Sequence, residues 1–117
     1  KEKFWDQLDA NERFAVFMGN LNYQVENGGF IQWWDNRYAT QETVGFILRQ
    51  CKRMNTEASL KVAELVTKFW NAVGCKGVEE YNSWTRPDYE EDEDDLDGQY
   101  YDVNSQFMAD CEAHLNK

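Results

Sequence analysis

The sequence predicts a single all-α domain, and three observations carry that prediction. Apolar residues recur at helical spacing in five separate runs, no stretch alternates convincingly with period two, and residues suited to helix termini stand between the runs: Asn27-Gly28-Gly29, Thr40, Asn55-Thr56 and Gly74. A chain of 117 residues suits one domain spanning 1–117, long enough to bury roughly two thirds of its unfolded surface. Hydrophobic residues make up 42% and aromatic residues 15% of the chain, which is enough for a packed interior despite a mean hydropathy of −0.82. No internal repeat is visible.

In order along the chain, Phe4, Trp5 and Leu8 form a short apolar cluster, and Asp9 with Glu12 three positions on makes a capping-box start. The first main helix follows, with Phe14, Phe17, Met18, Leu21 and Val25 on one stripe and Asn20, Asn22 and Glu26 opposite. Gly28-Gly29 tolerates positive φ and ends it. Phe30, Trp33 and Trp34, at i, i+3 and i+4, then place three large aromatic rings on one face of a short second helix. Thr40 caps a third helix carrying Val44, Ile47, Leu48, Cys51 and Met54. Asn55-Thr56 caps a fourth, with Val62, Leu65, Val66, Phe69, Trp70 and Val73 on its stripe and Gly74 at its end. From Cys75 the periodicity fades, and Val78, Tyr81 and Trp84 suggest an irregular or single-turn cover for the core before Arg86-Pro87. An acidic run follows, and Tyr100, Val103, Phe107, Met108, Cys111 and Leu115 give a closing helix. The expectation is therefore five main helices and no sheet.

The stretch Glu26-Asn27-Gly28-Gly29-Phe30-Ile31-Gln32-Trp33-Trp34-Asp35-Asn36 has a mechanical reading first: it folds the chain onto its own core, while Gln32 and Asn36 lie off the aromatic face, free to cap backbone groups or line a pocket. The same stretch, Glu26, Asn27, Gly28, Gly29, Phe30, Gln32, Trp33, Trp34 and Asn36, resembles a bacterial domain family whose members are described as DNA-mimic proteins, with Leu96-Asp97-Gly98-Gln99-Tyr100-Tyr101 as a weaker second point of likeness. The resemblance implies an acidic, mostly helical, dimeric protein that occupies the DNA-binding surface of a repressor.

Charge points the same way. The net charge is −10, and eight acids, Asp88, Glu90, Glu91, Asp92, Glu93, Asp94, Asp95 and Asp97, sit within ten residues, so that without them the charge is −2. Such a chain repels nucleic acid and anionic membranes and attracts basic surfaces. One reading of the run is a solvated, self-repelling loop. The other is a mimic: an extended chain advances about 3.3 Å per residue, close to the roughly 3.4 Å between phosphates along one DNA strand. Glu12, Glu26, Asp35 and Glu42 would extend the negative surface, and a homodimer would supply the second row of charge that a duplex has.

Chemistry is hard to build from these residues. His114 is the only histidine and has no neighbouring nucleophile and orienting acid in sequence; Gly28-Gly29 lacks the spaced glycines and lysine of a phosphate loop. Cys51, Cys75 and Cys111 form no CxxC pair and read as reduced, buried core thiols. A zinc site would need Cys111 and His114, one helical turn apart, to meet Cys51 and Cys75 from distant segments. A calcium loop read from Glu93, Asp95, Asp97 and Gly98 ends on Asn104, which lacks the bidentate carboxylate. Neither metal nor cofactor is expected. No apolar run reaches membrane-span length and the chain shows no signal-peptide core, so a cytoplasmic location is the expectation. The reading is a non-enzymatic binding protein whose partner is a basic DNA-binding protein: a repressor, nucleoid protein or nuclease. An immunity or antitoxin-like module is the alternative, and a small enzyme centred on His114 or on Gln32 and Asn36 is a third.

Overall fold

The computed structural model describes residues 4–81 and 95–117. A single 3-10 turn at Phe4–Gln7 leads into α1 (Ala10–Asp35), α2 (Gln41–Met54), α3 (Glu57–Ala72), a second 3-10 turn at Val78–Glu80 and α4 (Leu96–Leu115). Among the described residues there is no strand, and no helix there is long and apolar enough to cross a membrane.

The starts of α1, α2 and α3 fall where the sequence places them, each for a visible reason, whereas α4 begins at Leu96, inside the acidic run and ahead of the Tyr100 from which the sequence reads it. Asp9 Oδ1 accepts from the Glu12 amide at 2.8 Å while Glu12 Oε1 accepts from the Asp9 amide at 3.0 Å, closing a reciprocal box that satisfies two end donors of α1. Thr40 Oγ1 accepts from the Thr43 amide at 3.1 Å to start α2. Thr56 and Ser59 exchange the same pair of bonds at the start of α3, and Asn55 takes the left-handed conformation, φ 55°, that ends α2.

Among the described residues four α-helices stand where five are expected. The difference lies at Gly28-Gly29, where non-helical backbone kinks α1 without a loop, so the aromatic helix continues α1 as its second half. The kink delivers Phe30, Trp33 and Trp34 to the centre of the core, each with no exposed surface. Phe30 stacks on Phe69 of α3, with centroids 5.5 Å apart, and meets Tyr100 of α4 edge-on at 5.7 Å. Three elements therefore converge on one ring. α4 packs on both α1 and α3, and α2 packs on α3.

The fading stretch after α3 covers the core as expected. The Trp34 indole donates to the Lys76 carbonyl at 2.8 Å, the Tyr81 ring lies 5.8 Å from Trp34, and the Tyr81 hydroxyl donates to the Val73 carbonyl. Trp84, Arg86 and Pro87 lie outside the described residues. The expectation of three buried thiols needs correction. Cys51 and Cys111 are buried, but Cys75 is exposed, because it follows Gly74 in a left-handed turn that carries the chain off the end of α3. Asn22, opposite the apolar stripe, meets α4: its Oδ1 accepts from the Tyr100 hydroxyl at 2.7 Å and from Asn104 Nδ2 at 3.3 Å.

Candidate functional site

A helix interrupted in mid-course leaves carbonyls unpaired before the break and amides unpaired after it, and in this chain α4 satisfies both sides. Asp97 Oδ1 accepts from the Phe30 amide at 2.9 Å, capping the second half of α1 from 67 residues away. The Tyr101 hydroxyl donates to the Val25 carbonyl at 2.8 Å, capping the first half. Asn27 adds a local cap, its Nδ2 donating to the Tyr23 carbonyl at 2.8 Å.

Gly29 is the pivot. Its φ is 82°, and a Cβ there would stand 2.1 Å from Asp97 Oδ2, so both the backbone conformation and the approach of the carboxylate require glycine. Burial holds the Asp97 carboxyl above the ordinary carboxylate range; the Phe30 hydrogen bond opposes that shift and the nearby Asp95 charge adds to it.

The kink also folds one side of α1 toward the other. Gln24, 6% exposed, accepts at Oε1 from Gln32 Nε2 at 3.0 Å and from Asn36 Nδ2 at 2.8 Å, although eight and twelve residues separate them. Gln24 Nε2 reaches Asn20 Oδ1 at 3.4 Å. Gln32 and Asn36 thus face another side chain rather than open backbone, and Asn27 is engaged at the end of the first half of α1. Glu26 accepts from Asn22 and remains exposed.

A family model described as "DMP19-like protein" matches residues 6–117. The chain belongs to the DMP19-like protein family. No curated protein and no solved structure matches it. In this DMP19-like chain the two stretches that carry the sequence resemblance, Glu26–Asn36 and Leu96–Tyr101, are one structural unit: the second stretch caps the break made by the first.

Of the eight acids in the run, Asp88, Glu90, Glu91, Asp92, Glu93 and Asp94 lie outside the described residues. Asp95 is exposed, adopts φ 47° and caps α4 through the Gly98 amide at 3.2 Å. Asp97 is half-buried and turned to α1. Asp95 and Asp97, the third and fifth positions of the calcium reading, therefore cap two different helical starts. Among the described residues no group of three or more His, Cys, Asp or Glu is placed to hold a metal ion. Glu12, Glu26, Asp35 and Glu42 are all exposed. His114 lies against Phe14, ring centroids 5.1 Å apart, with Nδ1 buried and without a hydrogen-bond partner.

Sequence reasoning missed Gln24 and Tyr101. Gln24 has a signal, since it falls three positions after Leu21 on the apolar stripe of α1, where a polar side chain demands partners. Tyr101 stands in the sequence only within the weaker likeness Leu96–Tyr101, with no role readable there, because its partner is a backbone carbonyl 76 residues away.

Proposed function

We propose that this DMP19-like protein is a non-enzymatic DNA mimic: it occupies the nucleic-acid-binding surface of a basic DNA-binding protein, such as a transcriptional regulator, in the cytoplasm. The observation that carries the reading is the concentration of eight carboxylates within Asp88–Asp97 in a chain of this family. Carboxylates on successive residues of extended chain recur at about the interval of DNA phosphates, so lysines and arginines arranged for a phosphate row find equivalent charge on the mimic. A second copy of the chain would supply the second row. Asp95 and Asp97 stand apart, since their carboxylates accept from the Gly98 and Phe30 amides, and six acids are left to meet the partner.

The test begins with capture at low salt from the native host lysate on immobilised protein, followed by elution in salt. The captured basic protein is then bound to a fluorescent cognate duplex, and displacement is read by anisotropy. Parent protein is expected to displace the duplex. A variant with Asp88, Glu90, Glu91, Asp92, Glu93 and Asp94 changed to Asn or Gln, net charge −4 against −10, is expected to lose most of that competition. A folded neutralised variant that displaces DNA as well as the parent would remove the run from the mechanism.

A further inference from the structure

We infer that the groove between α3 and α4 is a second contact site, which takes one face of an amphipathic helix from a basic partner. The groove has a volume of about 680 Å³ and is lined by Glu57, Leu60, Lys61 and Glu64 of α3 and by Asp102 and Val103 of α4. Leu60 is 45% exposed, although it is a large aliphatic residue on a helix whose other face is fully packed. With half-buried Val103 opposite, it gives the groove an apolar strip. Single exposed leucines are ordinary; an exposed leucine lining a groove together with three carboxylates is a place for an anchor residue.

The rim decides what kind of anchor. Lys61 Nζ lies 2.8 Å from Glu64 Oε2, with Lys68 at 3.9 Å from the same oxygen, so Glu64 is already neutralised within α3. Among the described residues neither Glu57 nor Asp102 has an ion-pair partner, which leaves one uncompensated carboxylate on each wall of the apolar strip. Apolar residues at i, i+3, i+4 and i+7 flanked by Lys or Arg complement that arrangement, because the flanking cations reach both walls while the apolar face enters the strip. Nucleic acid and anionic membranes are repelled by the same carboxylates. An uncharged ligand leaves them unused. The site rests on the proposed function only for the basic character of the partner, and among the described residues its lining includes neither Asp95 nor Asp97.

The probe is a fluorescent synthetic peptide of about 14 residues, some four helical turns, with Leu at the helical a/d-type spacing and Lys elsewhere. Comparators are polylysine of equal charge and a Leu/Gln peptide of equal apolarity. Anisotropy is measured on the full chain, with circular dichroism confirming that each variant is folded; Leu60, Glu57 and Asp102 are exposed, so the variants should be. Leu60→Ser is expected to weaken Leu/Lys peptide binding by about tenfold and to leave polylysine binding unchanged. Glu57→Gln with Asp102→Asn is expected to weaken the peptide mainly at low salt. Two results would overturn the site: parent-like binding by both variants, or a Leu/Gln peptide that binds as tightly as Leu/Lys. Self-association of the parent that Leu60→Ser abolishes would make a second copy the occupant and overturn it equally. The six-site neutralised variant separates the two proposals, since it should lose DNA competition while keeping the Leu60-dependent binding of the peptide.

Discussion

Asp97 shows how a residue can be found for one reason and used for another. It belongs to the acidic run by sequence, yet the structure uses its oxygen as an acceptor for the Phe30 amide and partly buries its charge. The acceptor and the charge can be separated by substitution. Asp97→Ala leaves the amide uncapped and is expected to cost about 1–2 kcal/mol, in the range of lost helix caps. Asp97→Asn keeps Oδ1 in place and should hold the parent melting temperature at neutral pH. Because burial raises the Asp97 pKa, the folded protein binds this proton more tightly than the unfolded chain. Stability from this site therefore increases as pH falls from the raised value toward the ordinary carboxylate value, and decreases as pH rises through the same interval. Thermal melts of the parent and Asp97→Asn between pH 3 and neutrality should show that slope in the parent and a weaker one in the variant. An Asn variant as unstable as the Ala variant would assign the cap to the charge instead.

The cysteines make a second prediction at this scale. Burial pushes both Cys51 and Cys111 up to about 12, with Cys111 adding to the shift at Cys51 and Asp110 adding to it at Cys111, while Cys75 sits exposed at its turn. A neutral, enclosed thiol reacts slowly. A thiol reagent on the native protein is expected to modify Cys75 rapidly and the other two only in denaturant, which peptide mapping by mass spectrometry reads directly. Rapid native modification of Cys51 would mean that α2 opens far more readily than its packing implies.

At the scale of the element, the contrast that matters is between two glycines of one helix. Gly29 has φ 82° and the Asp97 carboxylate where a Cβ would go; Gly19 has helical neighbours on both sides and nothing within 4 Å of the place a Cβ would take. Gly29→Val is expected to cost of order 1–3 kcal/mol through backbone strain and expulsion of Asp97. Gly19→Ala is expected to stabilise by roughly 0.5–1 kcal/mol through helix propensity alone. Chemical denaturation of both variants tests the pair, and equal effects would mean that the kink is not fixed by Gly29. The kink also marks where the sequence stops being legible. Local signals, namely Asp9, Thr40, Thr56 and the 3.6-residue stripes, place every described helix start but that of α4, because the chemistry that decides them lies within four residues. The break in α1 is visible as Gly28-Gly29, but not that the chain continues through it, since the capping groups come from α4. The partners of Gln24 across the kink, and of Tyr101 on the Val25 carbonyl, are illegible because hydrogen bonds between residues distant in sequence leave no periodicity.

The whole molecule has its charge in the wrong place for a uniform decoy and in the right place for a concentrated one. Outside Asp88–Asp97 the net charge is only −2, and Asp97, Gln32 and Asn36 of the family-like stretches are engaged in hydrogen bonds within the fold. Any long-range attraction to a basic surface must therefore come chiefly from the run, and it must act through ions in solution that screen it beyond about 8 Å at physiological ionic strength. Two kinetic consequences separate this from an apolar interface. Screening acts on encounter more than on the docked complex, so the association rate with the captured partner should fall steeply from low to moderate salt while the dissociation rate changes little. Neutralising the six acids from Asp88 to Asp94 should flatten that salt dependence and slow association at low salt toward the parent's high-salt value, with melting temperature preserved or raised because like-charge repulsion is reduced. Surface plasmon resonance at several ionic strengths reads both rates for both proteins. An association rate that ignores salt in the parent, or a neutralised variant that keeps the parent's slope, would move the source of attraction from the run to the exposed carboxylates of the helices, Glu12, Glu26, Asp35 and Glu42 among them.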